Sequence, residues 1–337
     1  MWQVIGQTRA VSLLERGLKG GSLAHAYLLL GLPHVGKMTL ALNLAQALNC
    51  ESAEPPCGVC PSCQKVELGK HTDVQVIGLV PGKESEKLQT EISIEQIRDM
   101  QHSANLPPFE GRYKVFIIDG AELMSIEAAN SLLKILEEPP AKVVFILLTT
   151  NQSLLPVTIV SRCQRVEVIP VAVADVAEAL NKKWGVEPGR AKLLARLSRG
   201  LVGWSVAAAR DESLLRQREE WLAELHEIID GDYEERFASA SKLATIFSQG
   251  RETVQHRLDL WLDWWRDLML VKVGCDDFVT NIDRSDILTQ MSKNYTLAQT
   301  KAVIDGVRTA KIQFQRNANP RLVLETLMLD LPEVKYG

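Results

Sequence analysis

The sequence is short of several features that would assign it a role at once. No apolar run approaches the roughly 20 residues needed to cross a bilayer, since Ala26–Leu30 and Val143–Leu148 are far shorter. The opening residues Met1-Trp2-Gln3-Val4 lack the basic and apolar layout of a secretory signal, so a cytoplasmic location is expected. Positive charge is not in excess: 38 Lys and Arg stand against 42 Asp and Glu, a net charge of -4, and neither half is a basic arm. Sequence-wide attraction to nucleic acid is thereby excluded, and any DNA contact must be local or shared with partner chains. No internal repeat and no low-complexity segment is present. What is there is a chain of 337 residues, 46% hydrophobic and 24% charged. That is the composition of an ordinary globular protein of two or three domains.

Short apolar runs alternate with helical patterns through the first half. Ala26–Leu30, Val74–Leu79, Lys114–Asp119, Val143–Thr149 and Arg165–Ile169 read as strands. Several are apolar throughout and so suit a parallel sheet covered on both faces. Helices are predicted over Thr39–Asn49, where Leu40, Leu44, Ala47 and Leu48 recur at helical spacing, and over Ile126–Glu138, stopped by Pro139-Pro140. Strands alternating with helices make this half an α/β sheet domain. After Pro170 strand-like runs nearly vanish. Val171–Trp184, Pro188–Arg199 and Trp204–Arg210 read as short helices, broken at Gly185–Pro188 and at Gly200-Leu201-Val202-Gly203. From Asp211 to Pro332 only helices are expected, separated near Gly231, Gly250, Gly274 and Asn317–Pro320. The expected division is a sheet domain over residues 1–169, a small helical domain over 170–210 and a larger helical domain over 211–337.

Directly after the first strand comes Gly31-Leu32-Pro33-His34-Val35-Gly36-Lys37-Met38-Thr39, which matches G-x-x-x-x-G-K in a strand, loop, helix context. Gly31 and Gly36 let backbone N–H groups curl around phosphate oxygens, and Lys37 reaches the terminal phosphates. The hydroxyl residue that normally follows the lysine and ligates Mg²⁺ is here Met38, whose thioether is a poor ligand for a hard cation. Thr39 is one residue further on, about 100° around the helix axis, and cannot simply replace it. Nucleotide, ATP or ADP, is therefore the expected ligand, with Mg²⁺ coordination and hydrolysis weakened. The strand Lys114–Asp119 ends in a carboxylate placed like the metal-facing acid of a P-loop NTPase. The residue after Asp119 is Gly120 rather than a water-orienting Glu, and Glu122, three positions on, reads as a solvated or capping residue.

Four of six cysteines, Cys50, Cys57, Cys60 and Cys63, fall within residues 50–63. In a cytosolic chain that crowding points to metal rather than disulfides. Four thiolates suit tetrahedral Zn²⁺ and leave no position for a reactive water, so the site is structural; an iron–sulfur cluster uses related spacing. Cys163 and Cys275 read as isolated, packed thiols.

Val4-Ile5-Gly6-Gln7, His25-Ala26-Tyr27, the phosphate loop, Leu48-Asn49-Cys50, the cysteine cluster, Asn130 through Pro140 and Ser161-Arg162-Cys163 occur in that order. Together they resemble the bacterial clamp-loader AAA+ subunits of DNA polymerase III, the gamma/tau motor subunit and its delta-prime relative. The resemblance runs from about residue 2 to 170. It implies an AAA+ P-loop sheet domain with a zinc module, a small helical lid and an all-α C-terminal collar. It also implies that Val4 and Ile5 border the adenine, that Gly31, Gly36, Lys37 and Thr39 meet the phosphates, and that Thr150 senses the γ-phosphate. Arg162 resembles the family's arginine finger, which acts in trans on a neighbouring subunit's ATP.

The departures distinguish the two relatives. Met38, Gly120 and an arginine-free Gly200-Leu201-Val202-Gly203-Trp204 are three defects in the cis catalytic set beside an intact Arg162. That pattern resembles delta-prime: no intrinsic ATPase, a finger lent to a neighbour, and a hetero-oligomeric ring with motor and delta subunits. The ring would meet the sliding clamp and primer-template DNA, with no membrane partner. The alternative is an ATP-hydrolysing gamma/tau-like motor in which Glu122 and Thr39 substitute for the missing groups. A DNA-binding zinc module on a vestigial nucleotide fold is a third reading, opposed by the near-neutral charge.

Overall fold

The computed structural model describes residues 2–79 and 90–332. Met1, residues 80–89 in the expected sheet domain and residues 333–337 at the end of the expected collar lie outside the described residues. The chain forms two compact units, one of residues 1–179 with 200–204, the other of residues 180–199 with 205–337.

Among the described residues the first unit is built on five strands, β1 (Ala26–Leu30), β2 (Val74–Ile77), β3 (Lys114–Asp119), β4 (Val143–Thr149) and β5 (Gln164–Glu167). Its helices are α1 (Thr8–Lys19), α2 (Lys37–Asn49), α3 (Pro61–Glu67), α4 (Ile94–Ala104), α5 (Ile126–Glu137) and α6 (Val157–Val160). Helices α7 (Val173–Trp184) and α9 (Val202–Arg210) are each divided between the two units, and α8 (Pro188–Ser198) belongs to the second. The strand order is β2-β3-β4-β1-β5 with every pair parallel.

Both sheet faces are covered, which is why the central strands are apolar at consecutive positions. One face sends Leu28, Phe116, Ile118, Phe145 and Leu147 against Ile97 and Met100 of α4 and Leu132 and Leu136 of α5. The other sends Leu29, Val115, Ile117, Val144 and Ile146 against Leu14 of α1 and Leu40, Leu44 and Leu48 of α2. Register aligns Leu30 with Thr149 and Asp119 with Leu148, so the chain leaves β1, β3 and β4 at one edge. That carboxyl edge is where open α/β sheets gather ligands.

Boundaries differ from expectation at a few places. Strand β2 stops at Ile77, where the Gly78 carbonyl turns aside to accept from Gln96 Nε2 at 2.9 Å. Helix α2 begins at Lys37 rather than Thr39, placing the lysine in the first turn. The expected break over 200–203 is shorter than predicted, because α9 begins at Val202 and includes Gly203. The Gly203 amide donates to the His34 carbonyl at 2.8 Å, and a Cβ there would come 2.9 Å from that oxygen. A tertiary contact thus admits a glycine that local propensity treats as a breaker.

The second unit is helical: α10 (Ser213–Asp230), α11 (Tyr233–Gln249), α12 (Arg251–Lys272), α13 (Ser285–Ser292), α14 (Leu297–Gln315) and α15 (Pro320–Leu329). Trp261, Trp264 and Trp265 lie buried in its core, as core anchors rather than an exposed stacking surface. Arg236, also buried, donates to the Ile228 and Ile229 carbonyls that end α10 and to the Leu331 carbonyl. Its charge is thereby spent on orphan acceptors at a helix terminus. Among the described residues, no helix is long and apolar enough to cross a membrane.

Candidate functional site

The loop after β1 is shaped by steric necessity. The Gly31 amide continues the sheet by donating to the Thr149 carbonyl at 3.2 Å, and a Cβ at Gly31 would lie 2.2 Å from the Val168 carbonyl oxygen. Gly36, at φ 108, caps α2. Between them His34 holds φ 60, a left-handed conformation that costs a non-glycine residue about 1–2 kcal/mol. The helix that follows directs its unpaired N–H groups toward this loop, an arrangement suited to anions.

Lys37 folds over the loop, its Nζ donating to the Gly31 and Leu32 carbonyls at 2.7 and 2.9 Å. Burial lowers its pKa, while the carboxylates of Glu122 and Asp119 pull it back up. Burial raises the Asp119 carboxyl against the opposing pull of Lys37. Thr150 follows β4 at the same edge. Its amide and hydroxyl both donate to Glu122 Oε1, at 3.0 and 2.6 Å. A cavity of about 440 Å³ opens beside Gly31, Leu32 and Thr150, bounded by Gln152, Glu167 and Ile169.

Of the two readings of Glu122, solvated or capping, the structure favours the second. It is half-buried, and the 3-10 turn Ala121–Leu123 swings it back to the strand ends, where it caps the amide that follows β4. Burial pushes its carboxyl up, but the hydrogen bonds from Thr150 outweigh this and the net shift is downward. The signal in the sequence is only a Glu three residues after the strand-ending Asp119.

The structure gathers Gly31, Gly36, Lys37, Asp119 and Thr150 at one sheet edge. Val4 is nearby, with Cγ2 at 3.7 Å from where a Cβ on Gly36 would stand. Val4 and Ile5 are both half-buried, and the Gln3 and Val4 amides are held by buried Asn43 Oδ1 at 2.7 and 3.2 Å. Met38 packs against the apolar core beside α2, and Thr39 is exposed. Arg162 is not bonded to this group. Its guanidinium donates to Glu137 Oε1 at 2.7 Å and to the Thr158 carbonyl at 3.0 Å, while burial drives the neighbouring Cys163 thiol up to about 12.

The cysteines form a second centre. Cys50 ends α2, Cys60 caps α3 and Cys63 lies in its first turn. Sulfur atoms of Cys50, Cys57, Cys60 and Cys63 all lie within 4.8 Å of one another, with Cys57 and Cys63 at 4.0 Å. Tetrahedral coordination at about 2.3 Å per Zn–S bond sets sulfurs about 3.8 Å apart, so the set fits a metal ion with a slight contraction. Backbone N–H groups point at the sulfurs: Ser52 and Cys57 to Cys50 Sγ, Cys60 to Cys57 Sγ, Cys63 to Cys60 Sγ, at 3.3–3.5 Å. The amides of Val59 and Cys60 bring the Cys57 thiol down to about 6, whereas burial pushes the Cys63 thiol of the same set up to about 12.

A relay of buried amides joins this centre to the N-terminal segment. Asn43 Nδ2 donates to Gln46 Oε1 at 3.0 Å, and Gln46 Nε2 donates to the Cys63 carbonyl at 3.0 Å. Beside it, buried Asp73 accepts from the Phe109, Glu110 and Gly111 amides at 2.7–2.8 Å. Asn49 Oδ1 accepts from Arg112 and Tyr113, and Glu110 pairs with Lys65 of α3. Every backbone amide from Phe109 to Tyr113, in the irregular stretch before β3, is therefore held by a side chain.

Residues 6–172 match the family model described as DNA polymerase III, delta subunit, and residues 213–333 match that of the same subunit's C terminal part. The DNA polymerase III subunit delta' of Bacillus subtilis (strain 168) is 29% identical over 328 residues, covering 97% of this chain and 96% of that protein. The DNA polymerase III subunit tau of Escherichia coli (strain K12) is 36% identical over 204 residues, 58% of this chain and 30% of its own length. The aligned part thus spans under a third of that relative. Among solved structures, a DNA polymerase III gamma-subunit-related protein from Thermotoga maritima aligns at 20% identity. That alignment covers 94% of this chain and 97% of that chain, with a TM-score of 0.44.

Proposed function

This chain belongs to the DNA polymerase III delta-subunit family, and we propose that it serves there as a delta-prime-type clamp-loader subunit. In this reading it hydrolyses no ATP itself and lends Arg162 to the ATP site of a neighbouring motor subunit. The observation that carries the proposal is Met38. Its half-buried side chain packs against the apolar core at the position where a hydrolysing site presents a hydroxyl to Mg²⁺. Arg162, by contrast, keeps about a third of its side chain exposed. A guanidinium stabilises charge on a transferring phosphoryl group from outside the subunit that binds it.

The remaining assignments follow from that role. Residues 1–169 form the AAA+ domain, 170–210 the lid and 211–337 the collar that joins a cytoplasmic ring with gamma/tau and delta subunits. Through the ring the chain would help place the sliding clamp on primed DNA. Val4, Ile5, Gly31, Gly36, Lys37, Thr39, Asp119 and Thr150 would surround an ATP or ADP molecule that is held but not turned over. The four cysteines would hold Zn²⁺, which supplies cross-linking of α2 to α3 and no reactive position. The test is steady-state ATP hydrolysis by the motor and delta subunits, with and without this chain, comparing wild type, Arg162→Ala and Lys37→Ala. Loss of stimulation confined to Arg162→Ala supports the proposal; loss confined to Lys37→Ala rejects it.

One observation favours a second reading, the gamma/tau-like motor: Glu122 reaches the phosphate edge instead of solvent. Phosphate release by the purified chain alone, abolished by Lys37→Ala, would establish that reading.

A further inference from the structure

The arginine assigned to the neighbour's site does not stand free. Its NH2 group donates to Glu137 Oε1 at 2.7 Å and its NH1 group to the Thr158 carbonyl at 3.0 Å, with Ser161 Oγ a weaker partner at 3.5 Å. Glu137 is the last residue of α5, and Thr158 lies in α6. The guanidinium is therefore held between the ends of two separate elements.

The placement of Glu137 is not what helix stability alone selects. A carboxylate in the last turn faces the negative end of the helix dipole, where a cation is preferred. Nor does the pair contribute much as a staple. Arg162 and Glu137 keep 34% and 52% of their side chains exposed, and exposed ion pairs stabilise a fold little. What the contact does achieve is direction. A free arginine side chain samples many rotamers, whereas two anchored N–H groups fix the plane of the fork. Arginine has five N–H donors, and the three contacts leave the others available to phosphate oxygens.

We infer that Glu137 is a positioning residue for Arg162, orienting the guanidinium so that its remaining N–H groups meet the phosphoryl oxygens of ATP bound to the adjoining subunit. The inference rests on the reading of Arg162 as a finger acting in trans. Pre-orientation of this kind lowers the barrier of the chemical step without tightening substrate binding. The signature of Glu137 is thus a fall in kcat at constant KM.

The experiment uses the assembled complex of this chain with its gamma/tau and delta partners, measuring kcat and KM for ATP. Glu137→Ala should lower the kcat increment contributed by this chain about tenfold with KM changed less than about twofold. Glu137→Gln, which keeps an oxygen acceptor, should recover at least half. The double variant Glu137→Ala, Arg162→Ala should be no worse than Arg162→Ala alone, because both act through one group. Full kcat in Glu137→Ala beside a defective Arg162→Ala overturns the inference and leaves the finger reading intact. A kcat above wild type overturns it too, making Glu137 a restraint that withholds the arginine. An unchanged Arg162→Ala overturns the finger reading itself. Should Glu137→Ala fail to fold, Glu137→Met, which keeps the bulk of the side chain but removes the acceptor, decides: a kcat loss with unchanged KM supports the inference, and a full kcat or a loss additive with Arg162→Ala rejects it.

Discussion

Glu122 Oε1 receives two hydrogen bonds from one residue, the amide and the hydroxyl of Thr150, at 3.0 and 2.6 Å. The turn after β3 is thereby tied to the end of β4, and a carboxylate stands beside the ammonium of Lys37. Its charge opposes any phosphate brought to that lysine. Removing one unit charge a few ångströms away in a wet site is worth about 1 kcal/mol. Glu122→Gln should therefore bind a fluorescent ATP analogue about fivefold more tightly in the absence of Mg²⁺. Equal affinities in a titration of the two proteins would reject this electrostatic account.

The cysteine centre predicts a metal-dependent fold. Wild-type protein should carry about one zinc ion per chain, and Cys57→Ser with Cys60→Ser should carry almost none. The melting temperature of the double variant should fall by more than about 5 °C. Elemental analysis and a thermal melt on the same samples check both statements. A metal-free wild type of undiminished stability would dismiss the site.

Asp263 supplies a pH dependence of unusual sign. Burial pushes its carboxyl up to about 6, against the pull of the Arg199 guanidinium 2.7 Å away. An unfolded Asp titrates near 3.9. Between those values the folded chain holds a proton that the unfolded chain releases, so stability falls as pH rises from about 4 to 6 and is level above that. Asp263→Asn should flatten this segment of the stability curve, a change of about 3 kcal/mol across the window. Urea melts at closely spaced pH values measure it; parallel curves for the two proteins would count against the assignment.

Gly120 cannot be exchanged freely for the water-orienting Glu of a hydrolysing site. It holds φ 75, and a Cβ there would meet Leu123 Cδ1 at 2.9 Å. Gly120→Glu and Gly120→Ala should both lose about 1–2 kcal/mol, because the strain comes from the backbone and the first side-chain atom. Chemical denaturation compares them. An alanine variant as stable as wild type would show that the turn relaxes and that the catalytic residue can be restored.

The α/β half was legible where local pattern and tertiary role coincide. Val143–Thr149 is a strand in both because a central parallel strand needs apolar side chains on each face. The loop of Gly31, Gly36 and Lys37 was legible as the turn from strand to helix, because a Cβ at Gly31 has no room and Gly36 holds a positive φ. Gly203 was misleading, since its place in a helix depends on the His34 carbonyl far away in sequence. Glu122 was left as either solvated or capping, because no short-range rule places a side chain that must first turn back through a 3-10 segment. The bonding of residues 109–113 to Asp73 and Asn49 was equally hidden. Nothing in a lone Asp or Asn announces that several distant amides will converge on it.

The amides of Asn43 and Gln46 form a line with a fixed polarity. Because Asn43 Oδ1 must face the two N–H groups of Gln3 and Val4, its nitrogen can only face Gln46 Oε1, and the Gln46 nitrogen can only face the Cys63 carbonyl. Each orientation dictates the next, from the N-terminal segment across α2 to the cysteine loop. An isosteric acid at Asn43 would keep the first two bonds and set oxygen against oxygen at the third, so the line reads in one direction only and tolerates no change of chemical sense along its length.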